Sequence, residues 1–384
     1  MAIDFQQIRQ QIKQLGEQAP LRLEKLNQLR TQAEKLLSQN ALNQDYLRDK
    51  VTRAAHLVPN LRCAVPTNEA FTEPNPLPPP PAATTIIAAD GSQINPDRHQ
   101  EVDYFLVNVG AIQMQYSQPE APITSIFSQL SAQDAMYTEN GLISEAMVAL
   151  LRDQLEREVL ADLSEKTKGS VITFTDGPVE LWGRVELQTQ LFDKYLAALS
   201  RLHKRGAAVA GYVDRPRSDL VVRLLELSVL DDANIGEAGK ERWLLGITDI
   251  SLFAAFLQPG QRSALFGIQS KTAASYTEEL ALHFFYLNVS QEEDDPYLVR
   301  VEVPSWVAIQ PDLLDSLHAI LFEQCHIVAG SRYPYLLHRA HETAVVTREE
   351  KQQLEAMIAL DLRQRGIKVG GRSAKQTAKD YSRM

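Results

Sequence analysis

The chain has 384 residues, 44% of them apolar, enough for a sizeable buried core, so it reads as a globular protein with one large domain or a core domain with appendages. No apolar run approaches the roughly 18 residues of a membrane-spanning helix, residues 1–14 lack the apolar centre of a secretory signal, and two cysteines, Cys63 and Cys325, support neither a disulfide framework nor a cysteine zinc site. The expectation is a cytoplasmic, reducing setting, and a net charge of −10 speaks against a general nucleic-acid binder while leaving room for an acidic cation-binding cleft or a local basic strip.

From Ile3 to about Leu57 apolar residues recur every three or four positions: Ile8, Ile12, Leu15, then Leu23, Leu26, Leu29, then Leu36, Leu37, Leu42 and Leu47. This predicts an amphipathic helical region, broken in two at Ala19-Pro20, that packs on the body of the protein or self-associates. The run from Pro74 to Pro81 predicts a stiff extended linker. The resulting division is a helical region at 1–70, a Pro-rich linker at 71–84, a main domain at 85–350 and a C-terminal helix with a basic tail at 351–384.

Beyond the linker, strands and helices alternate. Strands are expected at Thr85–Ala89 and Val102–Ile112, with a third beginning at Met114–Ser117. A helix is expected over about Ser144–Glu165, then a strand at Ser170–Thr175, a helix over about Glu186–Lys204 and a strand at Ala207–Val213. This β-β-(β)-α-β-α-β order predicts an α/β fold, a mixed sheet with helices on its faces.

Two of these strands run into Asp-Gly, at Asp90-Gly91 and Asp176-Gly177. Taken singly, each dipeptide is ordinary turn chemistry. Two carboxylates at the ends of neighbouring strands, however, repel unless a cation lies between them, and hard oxygen donors suit Mg²⁺ or Mn²⁺. A third element comes late in the chain, where Tyr333-Pro334-Tyr335 leads into a helical run carrying His341. His341 has the chemistry to bind a metal or move a proton, and Tyr333 or Tyr335 to stack on a base or bond a phosphate, although a lone histidine is usually a structural hydrogen-bonder.

The ordered set Ala89-Asp90-Gly91-Ser92, Thr175-Asp176-Gly177, Gly211-Tyr212-Val213, Pro259-Gly260-Gln261-Arg262-Ser263 and Tyr333 through His341 resembles the NurA nuclease family over about residues 85–350. The resemblance implies an RNase H-like core with an N-terminal helical extension, a homodimer, and Mn²⁺- or Mg²⁺-dependent cleavage of DNA. The implied activities are single-strand endonuclease and 5'–3' exonuclease, in DNA end resection and repair with a HerA-type hexameric ATPase and with no membrane association. It assigns Asp90, Asp176, a helical Glu and His341 to the metal and the chemistry, with Tyr333 or Tyr335 beside them. Glu156 is the choice for the Glu, at the edge of the apolar stripe, with Glu158 and Glu145 as competitors.

Where many family members would carry a Lys after Gly211-Tyr212-Val213, this chain has Asp214-Arg215-Pro216-Arg217. Arg215 or Arg217 would then supply the phosphate-binding charge, or Asp214 would be a further metal ligand. Arg262-Ser263 is a candidate phosphate contact, with a surface ion pair as the plainer reading. Asp249 is expected to cap the helix that follows it. The tail, with Arg363, Arg365, Lys368, Arg372, Lys375 and Lys379, is the most basic stretch and reads as a solvated terminus. The rival to a nuclease is a non-catalytic RNase H-like subunit that docks a translocase and guides DNA. A phosphatase with Asp90 as nucleophile would want Asp where Ser92 stands.

Overall fold

The computed structural model describes residues 4–97, 103–138, 141–181, 189–240 and 242–367. Two units divide the chain: Met1–Leu77 with Val213–Ala308, and Pro78–Tyr212 with Ile309–Met384. Among the described residues no helix is long and apolar enough to cross a membrane. Both cysteines are buried and neither is in a disulfide.

The first unit opens with α1 (Phe5–Gln39) and α2 (Gln44–Leu57). The break falls at Asn40–Asn43 and not at Pro20, which lies inside α1. Proline removes one helical hydrogen bond and crowds the carbonyl four residues back. That residue is Gly16, and α1 nevertheless runs on through the proline. The chain turns where Asn40 Nδ2 takes up the Leu36 carbonyl at 2.9 Å. Only Ala33 and Leu37 of α1 are buried, and Phe5, Ile12, Leu15, Leu21 and Leu23 are exposed. Strand β1 (Cys63–Pro66) follows.

The second unit begins with β2 (Thr85–Ile94), β3 (Tyr104–Gln115) and β4 (Ile123–Ala132). The short pair β5 (Tyr137–Thr138) and β6 (Gly141–Leu142) leads to α3 (Glu145–Lys166), capped by Ser144 Oγ accepting from Met147 N–H at 3.2 Å. Then come β7 (Val171–Asp176), α4 (Thr189–Arg205) and β8 (Ala208–Val213). Residues 186–188, placed at the start of the second helix by its periodicity, lie outside the described residues. Met114 and Gln115 belong to β3 rather than to a third strand, and the actual third strand starts at Ile123.

The chain returns to the first unit for α5 (Leu220–Ser228), α6 (Asp249–Phe253), β9 (Phe266–Gln269), β10 (Leu282–Asn288), β11 (Leu298–Pro304) and α7 (Ser305–Ala308). There β1, β9, β10 and β11 pair antiparallel in that order. Phe253, Phe266, Phe284 and Tyr286 stack between them, with ring centroids 5.2–6.2 Å apart. The chain ends in the second unit with α8 (Pro311–Gln324), α9 (Tyr335–Ala344) and α10 (Arg348–Gln364).

In the second unit the strand order is β8-β7-β2-β3-β4. Strand β2 is parallel to β7, and β7 to β8, while β2–β3 and β3–β4 are antiparallel. Ile86, Ile87, Ala88 and Ala89 are fully buried, as a strand covered on both faces demands. Both α3 and α9 pack on β2 and β3. The mixed sheet with helices, expected from element order, is the fold observed: an RNase H-like α/β arrangement with three antiparallel strands followed by two parallel ones.

Candidate active site

Strand β2 pairs with β7 only as far as Ala89–Thr175, but its pairing with β3 continues to Ile94–Leu106. Asp90 is thus the first residue beyond the last parallel pair, in mid-strand, where the β7-side edge of β2 opens. Asp176, the last residue of β7, is the next position beyond Thr175, so each aspartate directly follows the last parallel pair on its own strand. The Asp90-Gly91 turn expected from the sequence is therefore not a turn. Glycine is needed at 91 for close approach: a Cβ there would lie 2.5 Å from both Glu156 Oε1 and Arg152 Cγ. Gly91 faces α3, and by alternation Asp90 faces the other way.

On that other face lies α9. Gly110, the cross-strand partner of Asp90, is packed so tightly under this helix that a Cβ would meet the Ala344 amide at 2.6 Å and the Ala340 carbonyl at 2.7 Å. The close approach brings His341 onto Asp90, with Nδ1 2.7 Å from Oδ2. The helix end is pinned as well. Ser92 Oγ and Asn108 Nδ2 both donate to the Ala344 carbonyl, and Ser128 Oγ donates to Asn108 Oδ1 at 2.6 Å. Gly110, Ser92 and Asn108 thus position His341. Only Ser92 stood within a sequence motif, and nothing in local pattern marks the other two.

Of the three candidate glutamates, only Glu156 lies against this strand, over Gly91 on the α3 side. Glu145 is exposed in the first turn of α3, and Glu158 is exposed and accepts from Gln154 Nε2 at 2.6 Å. Glu156 is buried, and burial raises its pKa well above the ordinary glutamate range. The Asp153 carboxylate adds to the rise, Arg152 opposes it, and Asp90 adds further. Its carboxylate accepts no hydrogen bond from a described residue, and its nearest cation is Arg152, with Nε 3.4 Å from Oε1. Arg157 is 2% exposed and also lowers the Glu156 pKa. Its Nη2 donates to Thr175 Oγ1 at 3.0 Å and Tyr195 OH at 3.1 Å, which ties α3 to the end of β7.

Tyr333 packs edge-on against Tyr212 with ring centroids 5.4 Å apart, and Tyr212 is the register partner of Asp176. Tyr335 is the first residue of α9 and half-buried. The remaining candidates belong to the first unit. Asp214 accepts from Tyr297 OH at 2.7 Å, Arg215 Nε donates to the same hydroxyl at 3.1 Å, and Arg217 is exposed. Arg262 is 4% exposed, its two Nη atoms gripping Glu69 at 2.8 and 3.1 Å, and Ser263 is fully buried with its hydroxyl on the Ala264 carbonyl. A guanidinium already enclosed and paired has no face for DNA, so Arg262 and Ser263 are structural here. Asp249 does not cap α6, whose N-cap is Thr248. Its carboxylate instead accepts from Val221 N–H at 3.1 Å and Val222 N–H at 2.9 Å, at the start of α5. The basic tail from Lys368 onward lies outside the described residues.

Among the described residues no three His, Cys, Asp or Glu side chains are gathered closely enough to hold an ion. The donor chemistry nevertheless fits a hard cation. Asp90 and Asp176 each follow the last parallel pair of β2 and β7, Glu156 is a buried carboxylate short of hydrogen-bond donors among the described residues, and the Gly91 hollow keeps its oxygen against the strand. The imidazole of His341 stands at the open side.

A five-stranded sheet of this order, with carboxylates where the first strand leaves its parallel neighbour, defines an RNase H-like domain. The sequence profile of the NurA domain matches residues 84–346, and the chain belongs to the NurA nuclease family. Solved structures similar to it include the NurA nuclease from Sulfolobus solfataricus, at 13% identity and TM-score 0.48, covering 76% of this chain and 88% of that one. Another is the catalytic domain of human Endonuclease V, at 13% identity and TM-score 0.33, covering 83% and 99%. No curated protein sequence matches the chain.

Proposed function

We propose that this protein hydrolyses DNA phosphodiesters with Mn²⁺ or Mg²⁺ held by Asp90, Asp176 and Glu156, with His341 beside them. The observation that carries the reading is the contact of His341 Nδ1 with Asp90 Oδ2 at 2.7 Å on the strand that also lies against Glu156, within a NurA domain. A divalent cation bound there supplies Lewis-acid activation of the scissile phosphate and charge neutralisation in the transition state. Asp90 holds His341 by Nδ1–H, which fixes the tautomer and leaves Nε2 as a proton acceptor on a side chain that is 61% exposed. Tyr333, braced edge-on by Tyr212, offers its hydroxyl or ring to the nucleic acid. Arg157 keeps the end of β7 and the Glu156 turn of α3 in fixed relation. The finer assignment, single-strand endonuclease and 5'–3' exonuclease in end resection and repair with a HerA-type ATPase, as a homodimer, rests on family membership.

The test is digestion of end-labelled single- and double-stranded DNA with Mn²⁺, with Mg²⁺ and with chelator, alongside Asp90→Ala. The expected result is cleavage that needs the cation and disappears in the variant. Cleavage indifferent to chelator, or retained by Asp90→Ala, overturns the mechanism. Protein that binds DNA in all conditions and cleaves it in none supports a non-catalytic DNA-guiding subunit instead.

A further inference from the structure

The arginines chosen from sequence to meet DNA, Arg215, Arg217 and Arg262, belong to the first unit, and Arg262 is enclosed with Glu69. The cation that the fold sets against the candidate site is Arg152, one turn before Glu156 on α3. Its stem fills the hollow over Gly91, where a Cβ would come within 2.5 Å of Cγ and 2.9 Å of Cδ. Its Nε lies 3.4 Å from Glu156 Oε1. Nε and Nη2 also donate to Asp153 Oδ1, at 3.1 and 2.7 Å. Nη1 bonds to no described residue, and the side chain is 33% exposed. Asp153, Glu156 and Asp90 all act on its charge.

We infer that Arg152 is the phosphate-binding residue of this site, engaging a non-bridging oxygen of the DNA backbone through its Nη1 edge. The inference rests on the nuclease reading above. The guanidinium and a divalent cation compete for one carboxylate, Glu156. At 3.4 Å the Arg152–Glu156 contact is an ion pair without a good hydrogen bond, and a divalent cation on Glu156 would cancel the attraction that holds the guanidinium there. Asp153 keeps the other edge oriented, and the free edge is left facing the anion that the cation recruits. A guanidinium offers its N–H donors in a rigid planar fork that can engage phosphate oxygens in pairs, which a lysine does not. The plainer alternative is that Arg152 serves only to neutralise Glu156 along the helix, as i,i+4 pairs do.

The deciding measurement is binding of fluorescent single-stranded DNA to the full-length protein in Ca²⁺, used as a cation that does not support cleavage, across a salt series. Arg152→Gln is expected to weaken binding about tenfold and to lower the salt slope by about one released counterion. Arg152→Lys should restore the slope but not the full affinity, and both variants should melt with the wild type. Unchanged affinity and slope in Arg152→Gln overturn the proposal. So does tighter Mn²⁺ binding by electron paramagnetic resonance with DNA affinity unchanged, the signature of a mere counter-ion to Glu156. Asp90→Asn separates the two claims. If it abolishes cleavage while Arg152→Gln binds DNA normally, the nuclease reading stands and the Arg152 role falls; if wild-type protein binds no DNA, both fall.

Discussion

A buried carboxylate in each unit is held in an opposite way. Asp249 in the first unit is fully buried and saturated, accepting from the Val221 and Val222 amides and from Tyr286 OH at 2.6 Å. Glu156 in the second unit is buried with no donor on it among the described residues, beside two arginines and two further acids. Burial raises the pKa of both. Depth alone therefore does not distinguish a structural acid from a functional one; the donors around it do. A carboxylate held by several donors organises the fold, whereas the role proposed for Glu156 draws on a carboxylate left short of them.

The largest expected effect separates the two acids directly. Glu156→Gln should fold with unchanged or slightly higher stability, because it removes a poorly compensated buried charge. Its cleavage rate should fall by on the order of a hundredfold or more, beyond the loss from an outer-shell partner. Nuclease assays beside urea melts will show whether the two effects part in this way. Asp249→Ala should do the reverse. At pH 5 it leaves the Val221 and Val222 amides unpaired, at about 1–3 kcal/mol each with partial relaxation, while Tyr286 OH keeps its bond with Ser218 Oγ, for a total of about 2–5 kcal/mol. The activity of the remaining folded molecules should be unchanged. A rate lost in proportion to neither stability nor folded fraction would undo the contrast.

The same comparison has a pH signature. The Asp249 pKa is pushed up to about 6 from an ordinary 3.8, by burial above all, with Tyr286 OH and the Val222 and Val221 amides opposing. The folded state therefore holds a proton that the unfolded chain has released between these values, so stability from this group is full below about 3.8 and is lost as pH rises through 6. The swing is about 3 kcal/mol. Asp249→Asn keeps an acceptor oxygen and removes the proton. Subtracting its denaturation curves from those of the wild type across pH 4–7 should leave this falling slope; a flat difference would show that the site does not titrate.

Much of this fold was legible because its strands are local apolar runs. β2, β7 and β8 are buried on both faces, and the helices between them carry clear periodicity. Strand β4 gave no such signal, since Thr124, Ser125, Ser128, Gln129 and Ser131 leave neither face apolar and its residues are largely exposed. In the site, Asp90, Asp176, Glu156 and His341 were singled out by type and order, and the fold puts His341 Nδ1 2.7 Å from Asp90 Oδ2. What escaped is non-local. Arg262 looks like a free surface cation until Glu69, 193 positions away in sequence, is seen to hold it. Arg152 looks like a solvated helix face until Gly91 is seen beneath it. Asp90-Gly91 reads as a turn unless its pairing with Gly110 and Val109 is known.

Gly110→Ala should be next in size. The obstructing atoms are the backbone of α9 and so cannot rotate aside, and the forced shift should cost about 1–3 kcal/mol while drawing His341 from Asp90. Ser92→Ala should be mildest and is the most discriminating. The Ala344 carbonyl keeps its bond from Asn108 Nδ2 when Ser92 is lost, so the change should cost about 1 kcal/mol. Because Ala344 lies one turn beyond His341, the helix end loosens where the imidazole is aimed. The expectation is a few-fold fall in kcat with KM for DNA unchanged, deepening more than multiplicatively when Asn108→Ala is added, since the two donors share one acceptor. If the double variant keeps the wild-type kcat, contact with Gly110 alone locates α9, and the polar pins serve the fold rather than the chemistry.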